Sequence, residues 1–308
     1  MPGSDPFDKN HRPATGQPVE LEPGIRVVAA PNPGPMTFTG TNTYLIGERC
    51  IAVIDPGPDL AAHEAALLAA IGDAEVSHIL VTHSHVDHSP LAHGLANKLG
   101  AKVYGFGTAA QARSPTMAAL AEQGDLGGAE GIDTAYRPDV RVADAESIAC
   151  DEWTLTAIHT PGHLSDHLCF SLDARGAVFS GDHVMGWATT MVSPPDGDLT
   201  QFMASLAKMA AREDRIYYPG HGGPVNDPAF MIAWQTEHRL AREAQIRAAL
   251  SEAPADALNL AARIYTDIDP RLIPAAARNV LAHLIDLSAR GVAAPEGTLS
   301  ADATFHLA

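Results

Sequence analysis

Short apolar runs alternate with longer amphipathic stretches over the first 224 residues of this 308-residue chain. The apolar runs are rich in Val, Ile, Leu and Phe, which is typical of strands buried in a layered core. Strands and helices that interleave in this way predict an α/β fold. The predicted strands are residues 25–30, 43–47, 51–55, 78–83, 153–159, 168–172 and 177–182, and the predicted helices are residues 60–71, 91–99 and 199–211.

The pattern changes after residue 228, where the chain becomes mainly helical. Apolar positions at helical spacing predict helices over residues 229–250, 257–265 and 273–289, and the turn-rich segment 291–308 is suited to a small hairpin. We therefore predict a body at residues 1–228 and a small helical, winged-helix-like domain at residues 229–308. Residues 105–137 mix Gly, Ala and polar residues, and they are predicted to form a mobile excursion from the body.

The net charge of −17 opposes nonspecific binding to nucleic acids or anionic membranes. Cys50, Cys150 and Cys169 show no short spacing, which argues against a cysteine-based zinc site and favours a reducing compartment. The sequence shows neither a signal peptide pattern nor an apolar run of membrane-spanning length. These features predict a cytoplasmic protein with no membrane partner.

Residues 81–90, VTHSHVDHSP, follow a predicted strand and contain four side chains that can bind metal. Because α/β folds usually bind ligands in the loops after their strands, this cluster predicts a metal site. Three further candidates also follow apolar runs and lie beside small residues. The full set of predicted ligands is His83, His85, Asp87, His88, His163, Asp182 and His221.

Five histidines and two aspartates suit a borderline metal such as Zn²⁺. One zinc ion needs only about four ligands, so seven candidates predict a two-metal site with a bridging carboxylate. Fe or Mn are alternatives, because ligands of this kind discriminate weakly between such metals. The predicted cofactor is therefore two Zn²⁺ per chain.

The motifs resemble those of the metallo-β-lactamase superfamily, in the hydrolase branch that contains glyoxalase II and metal-dependent nucleases. The matching stretches, in the family's order, are VIDPG (53–57), THSHVDH (82–88), TPGH (160–163), SGD (180–182) and PGHG (219–222). This resemblance implies a four-layer αββα sandwich with its metals at one rim. Through its C-terminal part the chain is also similar to the β-lactamase-like protein 2 branch, which includes an endoribonuclease that acts on single-stranded RNA.

The resemblance also implies a role for each ligand. His83, His85 and His163 would hold the first metal, Asp87, His88 and His221 the second, and Asp182 would bridge them. Two adjacent cations lower the pKa of water between them, which supplies a bridging hydroxide near neutral pH. Asp87 and Asp182 are the predicted catalytic residues, and Asp87 would orient this hydroxide.

Asp55, Thr82 and His183 are predicted to support the ligands from behind, since ligating imidazoles usually donate their other N–H to a neighbouring group. Asp55 has an alternative role in closing the turn at DPG, and His183 can equally face substrate or pack in the core. His159 is predicted to be structural, and His167 is left open between the two roles.

Three functions are compatible with these features. The first is hydrolysis of a small ester, thioester or lactone, the second is endoribonuclease activity on single-stranded RNA, and the third is a non-catalytic metal-binding scaffold. From residue 225 onward seven Arg face ten Asp and Glu, which is unfavourable for tracking phosphates. The C-terminal region is accordingly predicted to be a lid or a homodimer element, with RNA guidance as the alternative. Because every predicted ligand precedes Pro224, metal binding is expected to survive removal of this region.

Overall fold

The structure is a computed structural model that describes residues 5–128 and 131–308. In these residues the first β-sheet has seven strands, paired in chain order. The first four pair antiparallel, and the fourth to the seventh pair in parallel. The strands are β1 (Pro18–Glu22), β2 (Ile25–Ala29), β3 (Asn42–Ile46), β4 (Cys50–Ile54), β5 (Glu75–Leu80), β6 (Lys102–Gly105) and β7 (Val140–Arg141).

The second sheet has five strands within the described ranges. Its strands are β8 (Ser147–Ala149), β9 (Thr154–His159), β10 (Leu168–Leu172), β11 (Ala177–Gly181) and β12 (Ile216–Pro219). The order across this sheet is β12-β11-β10-β9-β8. Neighbouring strands pair antiparallel except β11 and β12, which are parallel, so β9, β11 and β12 all run in one direction.

The helices lie on the outer faces of the sheets and in the C-terminal region. They are α1 (Ala61–Ile71), α2 (Leu91–Leu99), α3 (Ala109–Ala112), α4 (Pro115–Gln123), α5 (Leu199–Ala210), α6 (Pro228–Glu252), α7 (Ala257–Ile264) and α8 (Ile273–Ala289). A short hairpin of β13 (Ala293–Pro295) and β14 (Phe305–Leu307) follows α8. Among the described residues, none of these helices is long and apolar enough to cross a membrane.

Apolar side chains on both faces of the two sheets explain the layering. The inner faces share one core, in which Ile54 of the first sheet lies with Phe170 and Phe179 of the second. The outer face of the first sheet packs against α1 and α2, and the outer face of the second packs against α5. Each large apolar side chain buried in this way contributes roughly 1.5–3 kcal/mol. The body is therefore the four-layer αββα sandwich that the resemblance implied.

Helix α6 joins the body to the C-terminal region. It begins at Pro228 after Asp227, whose carboxylate accepts a hydrogen bond from the Phe230 amide at 3.0 Å. Its first turns pack on the second sheet through Ile232, while Ile246 lies in a separate core with α7, α8 and the hairpin. Because α6 belongs to both cores, the boundary between residues 228 and 229 stays a prediction.

The predicted excursion at residues 105–137 contains α3 and α4, and Met117 and Leu120 of α4 pack into the C-terminal core. Residues 129 and 130 of the excursion lie outside the described residues. The predicted strand at 78–83 is shifted by three residues, since β5 spans Glu75–Leu80 and His83 lies in the following loop. Strands β1, β6, β7 and β8 were not predicted, and β12 was indicated only as the apolar run before His221.

Candidate metal centre

The predicted ligands follow strands from both sheets. β4 and β5 are parallel, and β9, β11 and β12 run in one direction. Groups of ligands that follow strands of both sheets have their potential ligand atoms within 4.8 Å of one another, so these strands end at the same rim of the sandwich. The structure brings all seven predicted ligands together there. They form three groups, in each of which the potential ligand atoms lie within 4.8 Å of one another. Two groups share no residue, and the third joins them through His83, His88 and Asp182.

The first group contains three histidines. His83 Nε2 lies 2.9 Å from His85 Nδ1, and His163 Nε2 lies 3.1 Å from the same nitrogen. Three ring nitrogens that point at one another cannot all be paired by hydrogen bonds, because each neutral ring has only one N–H. This arrangement fits a metal ion bound by three imidazoles.

The second group contains Asp87, His88 and His221. Asp87 Oδ2 lies 3.4 Å from His88 Nε2 and 3.1 Å from His221 Nε2, and the two imidazole nitrogens are 3.3 Å apart. A carboxylate with two imidazoles is also a donor set that zinc and similar metals accept.

Asp182 lies between the two groups. Its Oδ2 is 3.7 Å from His163 Nε2 and 3.5 Å from His221 Nε2, while its Oδ1 is 3.6 Å from His88 Nε2. Asp182 Oδ1 is buried and has no hydrogen-bond partner among the described residues. A buried carboxylate oxygen without a partner is costly, so this atom fits a cation shared by both groups.

Two of the predicted supporting residues contact the ligands from behind. Asp55 Oδ2 lies 2.9 Å from His88 Nδ1, and the hydroxyl of Thr82 lies 2.9 Å from His83 Nδ1. Asp55 also accepts hydrogen bonds from the Thr82 amide at 2.7 Å and the Thr82 hydroxyl at 2.8 Å. These contacts leave the Nε2 atoms of both histidines free to bind a metal.

His183, the third predicted supporting residue, lies away from the ligand atoms. Its ring packs edge-on against Phe202 of α5, with 5.1 Å between the ring centroids. His167 is closer to the centre, because its Nε2 accepts a hydrogen bond from the Asp182 amide at 3.1 Å. Its Nδ1 contacts the Thr160 hydroxyl at 2.8 Å, so the role that the sequence left open becomes a structural one beside the bridge position.

Two supporting contacts come from backbone carbonyls that the sequence did not indicate. The carbonyl of Met191 accepts from His163 Nδ1 at 2.7 Å, and that of Gly40 accepts from His221 Nδ1 at 3.1 Å. Each contact directs the Nε2 atom of its histidine towards the other ligands. A carbonyl exists at every position, so only the fold reveals which ones serve the site.

Glycine is required at position 220, next to the ligand His221. A Cβ atom on Gly220 would lie 2.5 Å from Asp182 Oδ1 and 2.6 Å from His88 Cε1. Both distances are far below van der Waals contact, so the PGHG motif uses glycine to let two ligands approach this backbone.

Comparison with known proteins agrees with this geometry. A family model described as the metallo-beta-lactamase superfamily matches residues 36–221, a range that contains all seven ligands. The chain belongs to the metallo-beta-lactamase superfamily. A second model, the beta-lactamase associated winged helix domain, matches residues 257–301, which covers most of α7, α8 and the hairpin region.

Individual members of the superfamily resemble the chain over different lengths. The atrochrysone carboxyl ACP thioesterase of Aspergillus fumigatus is 33% identical over 238 residues, which cover 75% of this chain but 66% of that protein, just under two thirds of its length. A beta-lactamase-like protein 2 homolog of Drosophila melanogaster is 31% identical over 287 residues, 87% of this chain and 88% of that protein. The crystal structure of a metallo-beta-lactamase family protein from Thermus thermophilus has 26% identity and a TM-score of 0.75, covering 94% of this chain and 100% of its own.

The histidines of this superfamily site differ in the direction in which their surroundings shift the pKa. Burial, with His163 nearby, lowers the pKa of His85 to about 3, so that imidazole is neutral and ready to bind a metal. Burial also opposes charge on His221, but Asp182 and Asp87 raise the pKa of His221 to about 10. The two carboxylates thus favour positive charge in the second group. Bound metal ions would supply that charge.

The ligands of this metallo-beta-lactamase superfamily chain form the floor of a cavity of about 440 Å³. His85, Asp87, His163 and Asp182 reach its surface. The described walls are largely apolar, and they contain neither lysine nor arginine. The wall residues are Met36, Thr37, Val86, Gly128, Gly131, Leu164, Met191, Ser193, Asp196 and Ala275.

Proposed function

We propose that the chain is a binuclear metal-dependent hydrolase that acts on a small acyl substrate, with thioesters first and esters or lactones next. The observation that carries this proposal is the position of the seven-ligand cluster, at the floor of an apolar cavity of about 440 Å³. A cavity of this size and lining is typical of small-molecule sites. Relatives named as thioesterases favour the thioester among the acyl substrates.

His83, His85 and His163 would hold one metal ion, and Asp87, His88 and His221 the other, with Asp182 between them. When bound, two metal ions would activate a water molecule and polarise the scissile carbonyl. Zn²⁺ is the proposed metal, with Fe or Mn as alternatives, because imidazole and carboxylate ligands suit all three.

The chain's own side chains orient the reactants. Asp87 is the more exposed of the two carboxylates, with 20% of its side chain accessible against 9% for Asp182, and it lines the cavity. Asp87 is therefore placed to orient the attacking water, while Asp182 would hold the two metal ions side by side. Met36 and Val86 are both exposed apolar residues in the cavity wall, where they can contact an acyl chain. The products are a carboxylic acid and, for a thioester, a thiol.

The endoribonuclease alternative lacks an electrostatic partner for phosphates. The described cavity wall contains no cationic side chain, and Arg113 and Arg278, which contact wall residues, are already engaged. Arg113 pairs with Asp196, and Arg278 donates to the Leu126 carbonyl and the Ser193 hydroxyl. Because RNA binding depends on Lys and Arg at the phosphates, single-stranded RNA is the weaker proposal.

One substrate panel tests these proposals. Zinc-loaded protein is assayed at fixed salt against acyl thioesters of increasing chain length, matched esters, lactones and single-stranded RNA. We expect thioester turnover that a chelator abolishes and that added Zn²⁺ restores. Cleavage of RNA alone would favour the nuclease, and metal binding without turnover of any substrate would favour the scaffold.

A further inference from the structure

The segment Thr190–Val192 contacts two of the metal ligands. The Met191 carbonyl accepts a hydrogen bond from His163 Nδ1 at 2.7 Å, which fixes His163 with Nε2 towards the site. The Thr190 hydroxyl donates to the backbone carbonyl of Asp182 at 2.8 Å. The position of this segment thus sets the orientation of one imidazole and the backbone of the proposed bridge.

The C-terminal region holds the same segment on both sides of Met191. Asn279 of α8 accepts a hydrogen bond from the Val192 amide through Oδ1 at 3.0 Å. Arg239 of α6 donates to the Thr190 carbonyl, and its Nη1 donates to Asn279 Oδ1 at 3.1 Å. Two side chains outside the body therefore fix the peptide groups that flank the carbonyl behind His163.

Arg239 is an unusual residue for such a position. Only 4% of its surface is exposed, and its guanidinium lies over the Phe202 ring at 5.1 Å. Burial lowers the pKa of Arg239 to about 10, and Arg242 adds to this effect. Among the residues that the structure describes, no carboxylate forms a salt bridge with Arg239, and its buried charge is held by hydrogen bonds to the Thr190 carbonyl and Asn279. Burying a charge without an ionic partner is costly, which points to a role beyond fold stability.

We propose that Arg239 and Asn279 are positioning residues of the metal centre, which act through the Met191 carbonyl on His163. The inference rests on the metal centre proposed above. Groups that hydrogen-bond directly to a ligand typically change metal affinity 10–100-fold when they are removed. Arg239 and Asn279 act one contact further out, so we expect the lower end of this range, about 10-fold. The C-terminal region is thereby part of the machinery that binds the metal, in addition to any role in covering the cavity.

Metal titration tests the proposal without reference to turnover. Metal-free protein is titrated with Zn²⁺ in competition with a coloured chelator at fixed pH, and two stepwise affinities are measured. Asn279→Ala is expected to weaken one step about 10-fold and to leave the other within about threefold. Asn279→Asp retains the acceptor oxygen, so it should restore the weakened step. Arg239→Ala should resemble Asn279→Ala, whereas Arg247→Ala, an exposed arginine of the same helix, should match the unaltered protein.

The outcomes separate the two proposals. If the unaltered protein binds no zinc, the metal centre itself is wrong. If it binds two ions and Asn279→Ala binds both with unchanged affinity, the positioning role is wrong. Equal weakening of both steps by Asn279→Ala without rescue by Asn279→Asp would also overturn it, because that pattern indicates general damage. Circular dichroism identifies variants that fail to fold, and if Arg239→Ala is one of them, the two Asn279 variants decide.

Discussion

Asp55 Oδ2 lies 2.9 Å from His88 Nδ1, although the Asp55 backbone has a left-handed φ of +52°. Aspartate and asparagine tolerate this conformation better than most residues. Asp55 also accepts two hydrogen bonds from Thr82, so its carboxylate has three donors around it. The residue thus fixes the loop that carries His83 and His88, and it leaves His88 Nε2 directed at the other ligands.

Asp55→Asn should preserve this backbone and weaken metal binding. An amide offers one acceptor oxygen and an NH₂ group, so it cannot accept from Thr82 and His88 on both sides. We expect a loss of about 10–100-fold in affinity for the metal beside His88. Zinc titration of the metal-free protein measures this loss, and wild-type affinity for both ions would show that Asp55 serves the turn alone.

Gly220→Ala should disrupt the metal centre. The new Cβ would lie 2.5 Å from Asp182 Oδ1 and 2.6 Å from His88 Cε1, so both side chains must move away from residue 220. We expect the variant to retain less than half of the bound metal of the unaltered protein, as measured by elemental analysis. Gly94→Ala is the matched control, since α2 has open space around Gly94 and alanine favours helices. Equal metal content in both variants would contradict the close approach.

Asp182→Asn should keep the fold and lose at least about 100-fold in kcat. The amide has nearly the same shape, but it lacks the charge that would hold two cations side by side. Metal content and thioester turnover are measured together, with the exposed Asp59→Asn as the control. A variant that binds both metals and turns over normally would exclude Asp182 as the bridge.

His63 predicts a specific sensitivity to acid. It is fully buried in α1, its Nε2 contacts the Thr43 hydroxyl at 2.9 Å, and burial lowers the pKa of His63 to about 4. Because the unfolded chain has the ordinary histidine pKa of about 6.5, it binds the proton first as the pH falls. The stability contributed by neutral His63 is therefore present above about pH 6.5 and is lost progressively towards pH 4.

Urea unfolding of the unaltered protein and of His63→Gln, in the same metal state at pH 7.5 and pH 5.0, measures this effect. All other titrating groups are shared, so the difference between the two proteins isolates His63. The unaltered protein should lose more free energy of unfolding, with a difference that approaches about 1.4 kcal/mol per pH unit below pH 6.5. Equal losses in both proteins would assign the acid sensitivity to other groups.

Removal of residues 229–308 should weaken metal binding, contrary to the expectation from the sequence. That expectation followed from the position of every ligand before Pro224. The structure shows that Ile232 belongs to the core of the second sheet and that Asn279 bonds to the Val192 amide. Zinc titration of the truncated protein checks the revised prediction, and intact two-step binding would contradict it.

The sequence predicted the ligand cluster and the α/β class because both depend on local patterns, whereas the four-layer sandwich was implied by the resemblance to the superfamily. Four of the seven ligands lie within six residues, and the buried strands are continuous apolar runs. Strands β7 and β8 have two and three residues, too few to show a period. The hydrogen bonds from Arg239 and Asn279 to Thr190–Val192 could not be predicted either, since Asn279 lies 87 residues from its partner Val192. Contacts between distant residues follow from packing, which no single stretch of sequence specifies.

The two cores that share α6 also have a consequence for synthesis of the chain. Every ligand leaves the ribosome before Met231 and Ile232, which belong to the outer core of the second sheet. Val178 and Tyr217 therefore lack part of their packing until the first turns of α6 emerge. The nascent body stays prone to aggregation during that interval, and this exposure ends only when the helix common to both units has docked.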